Sequence, residues 1–296
     1  MDTREQRRFI QSHLSGQTIT SLQKNTDGWD NDLYIVNEQT VFRFPKTLEV
    51  ASKVILEAEL LQALHNTNPM LEIPKYSSLY NENQELIGVS YRKIPGQPLA
   101  GIKSSHVCTP ANAKLIADFL TKLHRLPQHQ PSLIKKFRNP LTTDNWTKLF
   151  SSIEEKLFPY FNDLYRAEII ATFSQFIQSP SVHPKTFLHG DLTTSNLLID
   201  QEKHIMTGVI DFTDTMWGDP AFDFGGFYWT YGGHFTKKIL SYYDTYENKN
   251  HIYKRVRDFY GVQPVFHDML YAVRHQLEFN WDKALSTFIE RKYDHS

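Results

Sequence analysis

The chain of 296 residues holds a single cysteine, Cys108. That excludes an intrachain disulfide and any zinc site built from several cysteines, and a lone thiol is commonly a small packing residue. Long apolar runs are also missing. No stretch approaches the roughly 20 residues that cross a bilayer, and the start, Met1-Asp2-Thr3-Arg4-Glu5-Gln6-Arg7-Arg8, is charged and lacks an apolar signal core. Neither sign of charge dominates, with 32 Lys and Arg against 33 Asp and Glu. Nothing in that balance asks for nucleic acid or an anionic membrane as partner, so a globular cytoplasmic protein is expected. Neither G-x-x-x-x-G-K-[ST] nor G-x-G-x-x-G occurs, which argues against a P-loop fold. What the chain has in quantity is aromatic residues, with 20 Phe and 15 Tyr, many of them after residue 217.

The hydrophobic pattern changes period along the chain. Residues 1–15 read as a short helix with Phe9, Ile10 and Leu14 on one side. Residues 33–36 and 40–44 are β-branched and aromatic, with a turn at Asn37-Glu38-Gln39. Residues 49–65 take helical spacing through Val54, Ala58 and Leu61. Tyr76–Tyr80 and Leu86–Ile94 read as two further strands, and Pro95-Gly96-Gln97-Pro98 as a breaker. From there the pattern is mainly helical: 112–126, then Trp146–Leu164 as one helix, then 167–178. A short β pair follows at 197–199 and 206–210, and helices resume after Pro220. Strands with one helix, a breaker, helices, a β pair and more helices predict an α+β fold of two lobes. The expected division is 1–94, a strand-rich lobe, and 95–296, a larger helical lobe.

Residues 187–225 carry the chemistry. Transfer of a phosphoryl group needs a carboxylate to orient the acceptor hydroxyl and take its proton, oxygen ligands for Mg²⁺, and a cation with backbone donors for the triphosphate. His189-Gly190-Asp191 with Asn196 five positions after the Asp matches the spacing of the kinase catalytic loop, with Gly190 in place of its Arg. Asp191 suits the base, and Asn196 can offer a neutral amide oxygen to a metal. Asp211 ends the next apolar run and precedes Phe212, like the start of the kinase metal motif, with Thr213 where that motif has Gly. An isolated Asp-x4-Asn is usually a turn or cap; the combination, in this order and between short strands, is what points to phosphoryl transfer. His189 reads as a loop brace, Asp219 before Pro220 as a helix cap, and Asp223 as a brace for the catalytic loop.

On these residues the sequence resembles the aminoglycoside phosphotransferase family of kinase-like enzymes. The likeness runs through Gly28-Trp29-Asp30-Asn31, Val41–Lys46, Glu57–Leu61, Ile94–Leu99, Phe119–His124 and the 187–225 block, and the length and Phe-Arg-Phe-Pro-Lys stretch are most similar to the 2″-phosphotransferase branch. The resemblance implies a bilobal protein-kinase-like fold, Mg²⁺, and ATP or GTP as phosphoryl donor. It also implies Asp191 as catalytic base and Asn196 and Asp211 as metal ligands. A monomer acting on a small-molecule hydroxyl acceptor, away from membranes and nucleic acid, is expected.

For the nucleotide, Gly28 in the 26–32 loop permits close backbone approach. Arg43 lies opposite Phe42 and Phe44 on its strand, and Glu57 falls inside the apolar stripe of its helix, where a charge wants a buried partner; Glu59 lies near the edge of that stripe. Arg43 and Glu57 are therefore the expected cation–carboxylate pair, and the backbone of Arg92–Ile94 should meet the base. The acceptor stays open. An aminoglycoside-type molecule is the first expectation, yet Gly225–Phe235 is aromatic where an acidic cluster would suit a polycation, and aromatic walls fit sugars or macrolides. Asn196 speaks against the macrolide branch, for which His is expected there. A metabolite alcohol (sugar, choline-like or homoserine-like) is the other alternative, and a non-catalytic nucleotide-binding pseudokinase a remote one. Glu278, Asp282 and Asp268 are candidate carboxylates for a cationic acceptor.

Overall fold

The structure, a computed structural model, describes residues 3–14, 18–25, 30–179 and 184–294. Helix α1 (Thr3–His13) precedes an antiparallel sheet of β1 (Leu22–Asn25), β2 (Asn31–Val36), β3 (Thr40–Pro45), β4 (Ser77–Tyr80) and β5 (Leu86–Arg92), ordered β1-β2-β3-β5-β4. Strand β3 is central, and Val41–Phe44 are all buried. One face of the sheet carries Tyr34, Val36, Phe42, Phe44 and Leu79 against Ile10 of α1 and Leu14 just after it, a small core of its own. The other face receives α2 (Leu48–His65), whose Thr47 cap accepts from the Val50 amide at 3.2 Å. Leu60, Leu61 and Leu64 of α2 extend into the larger core of the C-terminal region. Strand β1 was not apparent in the sequence because Leu22-Gln23-Lys24-Asn25 is a polar edge.

The C-terminal region is helical around short β elements. Its helices are α3 (Ser104–Val107), α4 (Pro110–His129), α5 (Pro131–Ile134), α6 (Thr143–Lys156), α7 (Asp163–Gln178), α8 (Gly225–Tyr242), α9 (Lys249–Arg255), α10 (Pro264–His275) and α11 (Trp281–Lys292). Its strands are β6 (Gln97–Pro98), β7 (Thr186–Leu188), β8 (Leu197–Asp200), β9 (Ile205–Val209) and β10 (Met216–Gly218); β7 pairs with β10, and β6-β8-β9 form a second ribbon. The single helix expected over Trp146–Leu164 is in fact broken. Leu157 caps α6, a 3₁₀ turn spans Phe158–Tyr160 around Pro159, and Asn162 starts α7 by accepting from the Tyr165 amide at 3.0 Å.

Two tertiary devices fix the region that follows the β pair. Asp219 caps the 3₁₀ turn Pro220–Phe224 through the Ala221 amide, and it also takes a two-pronged ion pair from buried Arg255, at 2.8 and 2.9 Å, whose guanidinium reaches Glu247 as well. Helix α8 is broken at Gly232, with φ 79° and ψ −177°. The freed groups are taken up by α11 and the residues after it: Arg291 donates to the Trp229 and Thr230 carbonyls, and Asp294 accepts from the Gly233 amide at 2.8 Å.

Replacing Arg255 by Met leaves two carboxylates, Asp219 and Glu247, without their shared cation. Chemical denaturation should show a loss of about 3 kcal/mol; an unchanged midpoint would mean the ion pair contributes little.

Candidate active site

The loop after β7 is held from below by one carboxylate. Asp223, 2% exposed, accepts from the His189 amide at 2.8 Å, from the Gly190 amide at 3.0 Å and from His124 Nε2 of α4 at 3.1 Å. The Tyr243 hydroxyl, 2.8 Å from His124 Nδ1, completes that chain. His189 is fully buried, donating through Nε2 to the Ile210 carbonyl, so it braces the loop. Gly190 has φ +85°, and a Cβ there would lie 2.1 Å from the Asp214 carbonyl oxygen. That crowding explains why the Arg of the kinase pattern gives way to glycine.

Asp191 and Asn196 meet at the mouth of this loop. The Asn196 amide nitrogen donates to Asp191 Oδ2 at 2.7 Å and to its carbonyl at 2.9 Å, which leaves the amide oxygen as the atom for a cation. The Ile210 amide donates to the Asn196 carbonyl at 2.9 Å, which brings Asp211 alongside. Asp211 has φ +61°, a left-handed conformation sparsely used by residues other than glycine. Burial raises the Asp191 pKa above the ordinary carboxylate value, with Asp214 and Asp211 adding repulsion and Asn196 opposing it. Asp214 is raised for the same reasons, burial first and then Asp211. Carboxylates gathered in this way favour a cation among them.

The ion pair expected from the sequence is present. Arg43 Nη1 lies 3.0 Å from Glu57 Oε1, and both side chains are buried. Glu59 instead pairs with Lys136 at the surface. Glu57 Oε1 also accepts from the Tyr76 hydroxyl at 2.6 Å and from the Phe212 amide at 3.1 Å, tying α2 to the Asp211 turn. Arg43 Nη2 stands 3.8 Å from Asp211 Oδ1. Burial opposes the Arg43 charge, but Glu57, Tyr76 and Asp211 together outweigh it, and its pKa is raised. In the sequence Tyr76 carries only the signature of a strand, and in the structure it stands just before β4. Burial and then Glu57 raise its phenol well above the usual value, while neighbouring Tyr91 is pushed up to about 12 by burial; both stay protonated at neutral pH. Arg92 and Ile94 line a separate open hollow with Gln39 and Lys93, where the Lys93 amide is already bonded to the Gln39 carbonyl at 2.7 Å. Gly28 lies outside the described residues.

Beside Asp191 opens a cavity of about 740 Å³, lined among others by Asp214, Phe222, Trp229, Tyr260, His267 and Asp268. Most of the aromatic run is not part of it: Phe227, Tyr228 and Phe235 are buried in the core, and Trp229 is the ring of that run on the cavity wall. Carboxylates reach the cavity from elsewhere instead. The Asp268 pKa is raised by burial and then by Asp191, and burial lowers that of His267. Glu278 and Asp282 do not belong here. They line a distinct shallow hollow with Tyr160 and Trp281, because Asn280 caps α11 and turns the chain away. His267 and Asp214 carry no diagnostic spacing: Asp214 follows the Asp211 motif without belonging to it, and His267 lies well beyond the 187–225 block.

The donor set fits a hard divalent cation. Among the described residues no three His, Cys, Asp or Glu side chains gather at ligating distance. Mg²⁺ asks for less than that, since it uses one or two carboxylates and fills its shell with water and phosphate. Asp211 and the Asn196 amide oxygen would supply the protein's share.

Comparison with known proteins bears on the same region. A model described as the phosphotransferase enzyme family matches residues 21–259. The chain is 26% identical over 253 residues to the uncharacterized protein YcbJ of Bacillus subtilis (strain 168), covering 77% of each. The GDP complex of wild-type aminoglycoside 2'-phosphotransferase-IIIa superposes with a TM-score of 0.79 over 100% of both chains at 21% identity. The apoenzyme of macrolide 2'-phosphotransferase MphH from Brachybacterium faecium gives 0.68 over 95% of this chain and 97% of that one, at 15% identity.

The raised Asp191 pKa predicts a stability effect. A carboxyl whose folded pKa exceeds its unfolded value binds its proton more tightly in the native state, so stability is lost as pH rises from the ordinary 3.8 through the folded value. Asp191→Asn, which removes that loss, should melt higher than wild type at pH 7.5, and the gap should close below pH ~3.8. Equal melting temperatures at pH 7.5 would show that the carboxylate is not strained.

Proposed function

Because the chain belongs to the phosphotransferase enzyme family, we propose that it is a small-molecule kinase that moves the γ-phosphoryl of ATP or GTP to an acceptor hydroxyl. The observation that carries this reading is convergence. The buried Arg43–Glu57 pair, the Asp211 turn and the Asp191–Asn196 contact are linked by hydrogen bonds, beside a cavity large enough for a small molecule. In this reading Asp191 orients the acceptor hydroxyl and takes its proton, and its raised pKa brings it toward the range of an effective base. Arg43, held through Nη1 by Glu57 and through Nη2 by Thr213, is assigned to supply positive charge on the phosphate side. Asp211 and the Asn196 amide oxygen would hold Mg²⁺, which when bound would supply positive charge to offset that of the transferring phosphoryl group. Arg92 and Ile94 at the end of β5, together with Gly28, are assigned to the nucleotide, and the division between lobes to Ile94–Pro95.

For the acceptor we infer an amine-bearing polyol of the aminoglycoside type. Asp191, Asp214 and Asp268 all edge the cavity, where burial first and mutual repulsion second raise their pKa values, and a polycation would relieve that repulsion. Trp229 offers a face for a sugar ring. A neutral metabolite alcohol or a macrolide would draw on Trp229, Phe222 and Tyr260 instead. A monomeric enzyme of the cytoplasm fits the lone cysteine, the balanced charge and the lack, among the described residues, of a helix long and apolar enough to cross a membrane.

A nucleotide-turnover screen over aminoglycosides, macrolides and metabolite alcohols should give the highest kcat/KM with an aminoglycoside; turnover with neutral alcohols alone would overturn the acceptor assignment. Asp191→Ala should lower kcat by at least about 10²-fold while Mg²⁺–nucleotide binding persists, and near wild-type turnover would remove it as base. Asp268→Asn should raise KM for a cationic acceptor about tenfold with kcat little changed, as expected for a lost charge-assisted contact; an equal KM would take Asp268 out of the acceptor site.

A further inference from the structure

Thr213 stands two residues after Asp211, and its hydroxyl touches both charged groups of the nucleotide side. The oxygen lies 2.5 Å from Arg43 Nη2 and 2.6 Å from Asp211 Oδ1. A guanidinium only donates and a carboxylate only accepts, so the hydroxyl accepts from Arg43 and gives its single proton to Asp211. The Thr213 amide points to the same carboxylate oxygen, at 3.4 Å. Arg43 and Asp211 lie 3.8 Å apart, too far for a direct hydrogen bond; the hydroxyl closes that gap.

The other prong of the guanidinium, Nη1, is engaged by Glu57 at 3.0 Å and Tyr76 at 2.6 Å. The planar fork therefore spans from α2 to the Asp211 turn, with Thr213 completing one end. A lysine at position 43 would bring one compact ammonium, which cannot hold both ends in a fixed geometry. The carboxylate that benefits is one whose backbone sits at φ +61° and whose side chain is half exposed.

We propose that Thr213 is a positioning residue. Its hydroxyl couples the Arg43 fork to Asp211 and sets the orientation of that carboxylate for Mg²⁺, so that Arg at 43 and Thr at 213 form a matched pair. The proposal rests on the reading of Asp211 as a metal ligand. It assigns Thr213 an effect on cation affinity exerted through Asp211, and it makes that effect conditional on Arg43.

The test is binding of mant-ATP and mant-GTP to the purified full chain, followed by fluorescence across a Mg²⁺ titration and in EDTA. Thr213→Val, nearly isosteric, should need about tenfold more Mg²⁺ for half-saturation, the loss expected for a hydrogen bond to a charged group. Its binding in EDTA should match wild type, and Thr213→Ser, which keeps the hydroxyl, should stay within about twofold. In an Arg43→Lys background the Val substitution should lose most of its effect. A Thr213→Val protein with the wild-type Mg²⁺ requirement, a Ser variant as impaired as Val, or fully additive losses in the cycle would each overturn the proposal. The Val and Ser pair decides the matter alone if Arg43→Lys fails to fold. Wild-type protein that binds nucleotide without regard to Mg²⁺ would overturn the metal reading of Asp211 and this inference with it; a Mg²⁺-dependent wild type with an indifferent Thr213→Val would overturn this inference only.

Discussion

A single carboxylate oxygen, Glu57 Oε1, connects the two halves of the site. It accepts from Arg43 on β3, from Tyr76 before β4 and from the Phe212 amide beyond β9. Each donor comes from a different part of the chain, and the acceptor itself is almost fully buried. A charge in that position is tolerable only while its partners stay in place. Displacing α2 by a fraction of a hydrogen-bond length would therefore disturb the Arg43 guanidinium and the Asp211 turn together. The sheet and the catalytic loop are registered to each other by this shared acceptor as much as by apolar contact.

The loop that carries Asp191 is built on the same principle, again with a buried carboxylate as the shared acceptor. Asp223 gathers two backbone amides and one imidazole from α4. Rigidity beneath the loop lets the groups above it be poorly solvated and mutually repelling, as the raised pKa values of Asp191 and Asp214 show. Strain of this kind is common where chemistry is done and is tolerated because the surrounding structure over-determines it.

The element order, the two-region α+β architecture and the meeting of Arg43 with Glu57 were legible in the sequence because each left a strong local trace. Arg43 alternates with Phe42 and Phe44, and Glu57 interrupts an apolar stripe. The break between α6 and α7 was less so, since Trp146–Leu164 keeps a helical pattern across Pro159 and the stop depends on where Asn162 caps the next helix. Tyr76, Asp214 and His267 were hidden for a different reason. Their importance is purely a matter of three-dimensional neighbours, and none sits at a diagnostic spacing. The aromatic segment after Asp223 misled by composition: most of its rings fill the core, and only the helical phase separates Trp229 from Phe227 and Tyr228.

The broken turn of α8 bears on how such a pocket could change over evolutionary time. Trp229 and Thr230 stand on the cavity wall, but their carbonyls are held by Arg291, and the first amide after the break by Asp294. The contour of that cavity wall is thus anchored by residues about sixty positions away that do not line the cavity. Drift at the C-terminal helix can retune which molecules fit without altering a residue of the catalytic loop. The shape of the cavity and the bracing of the Asp191 loop are in that sense separable within one chain.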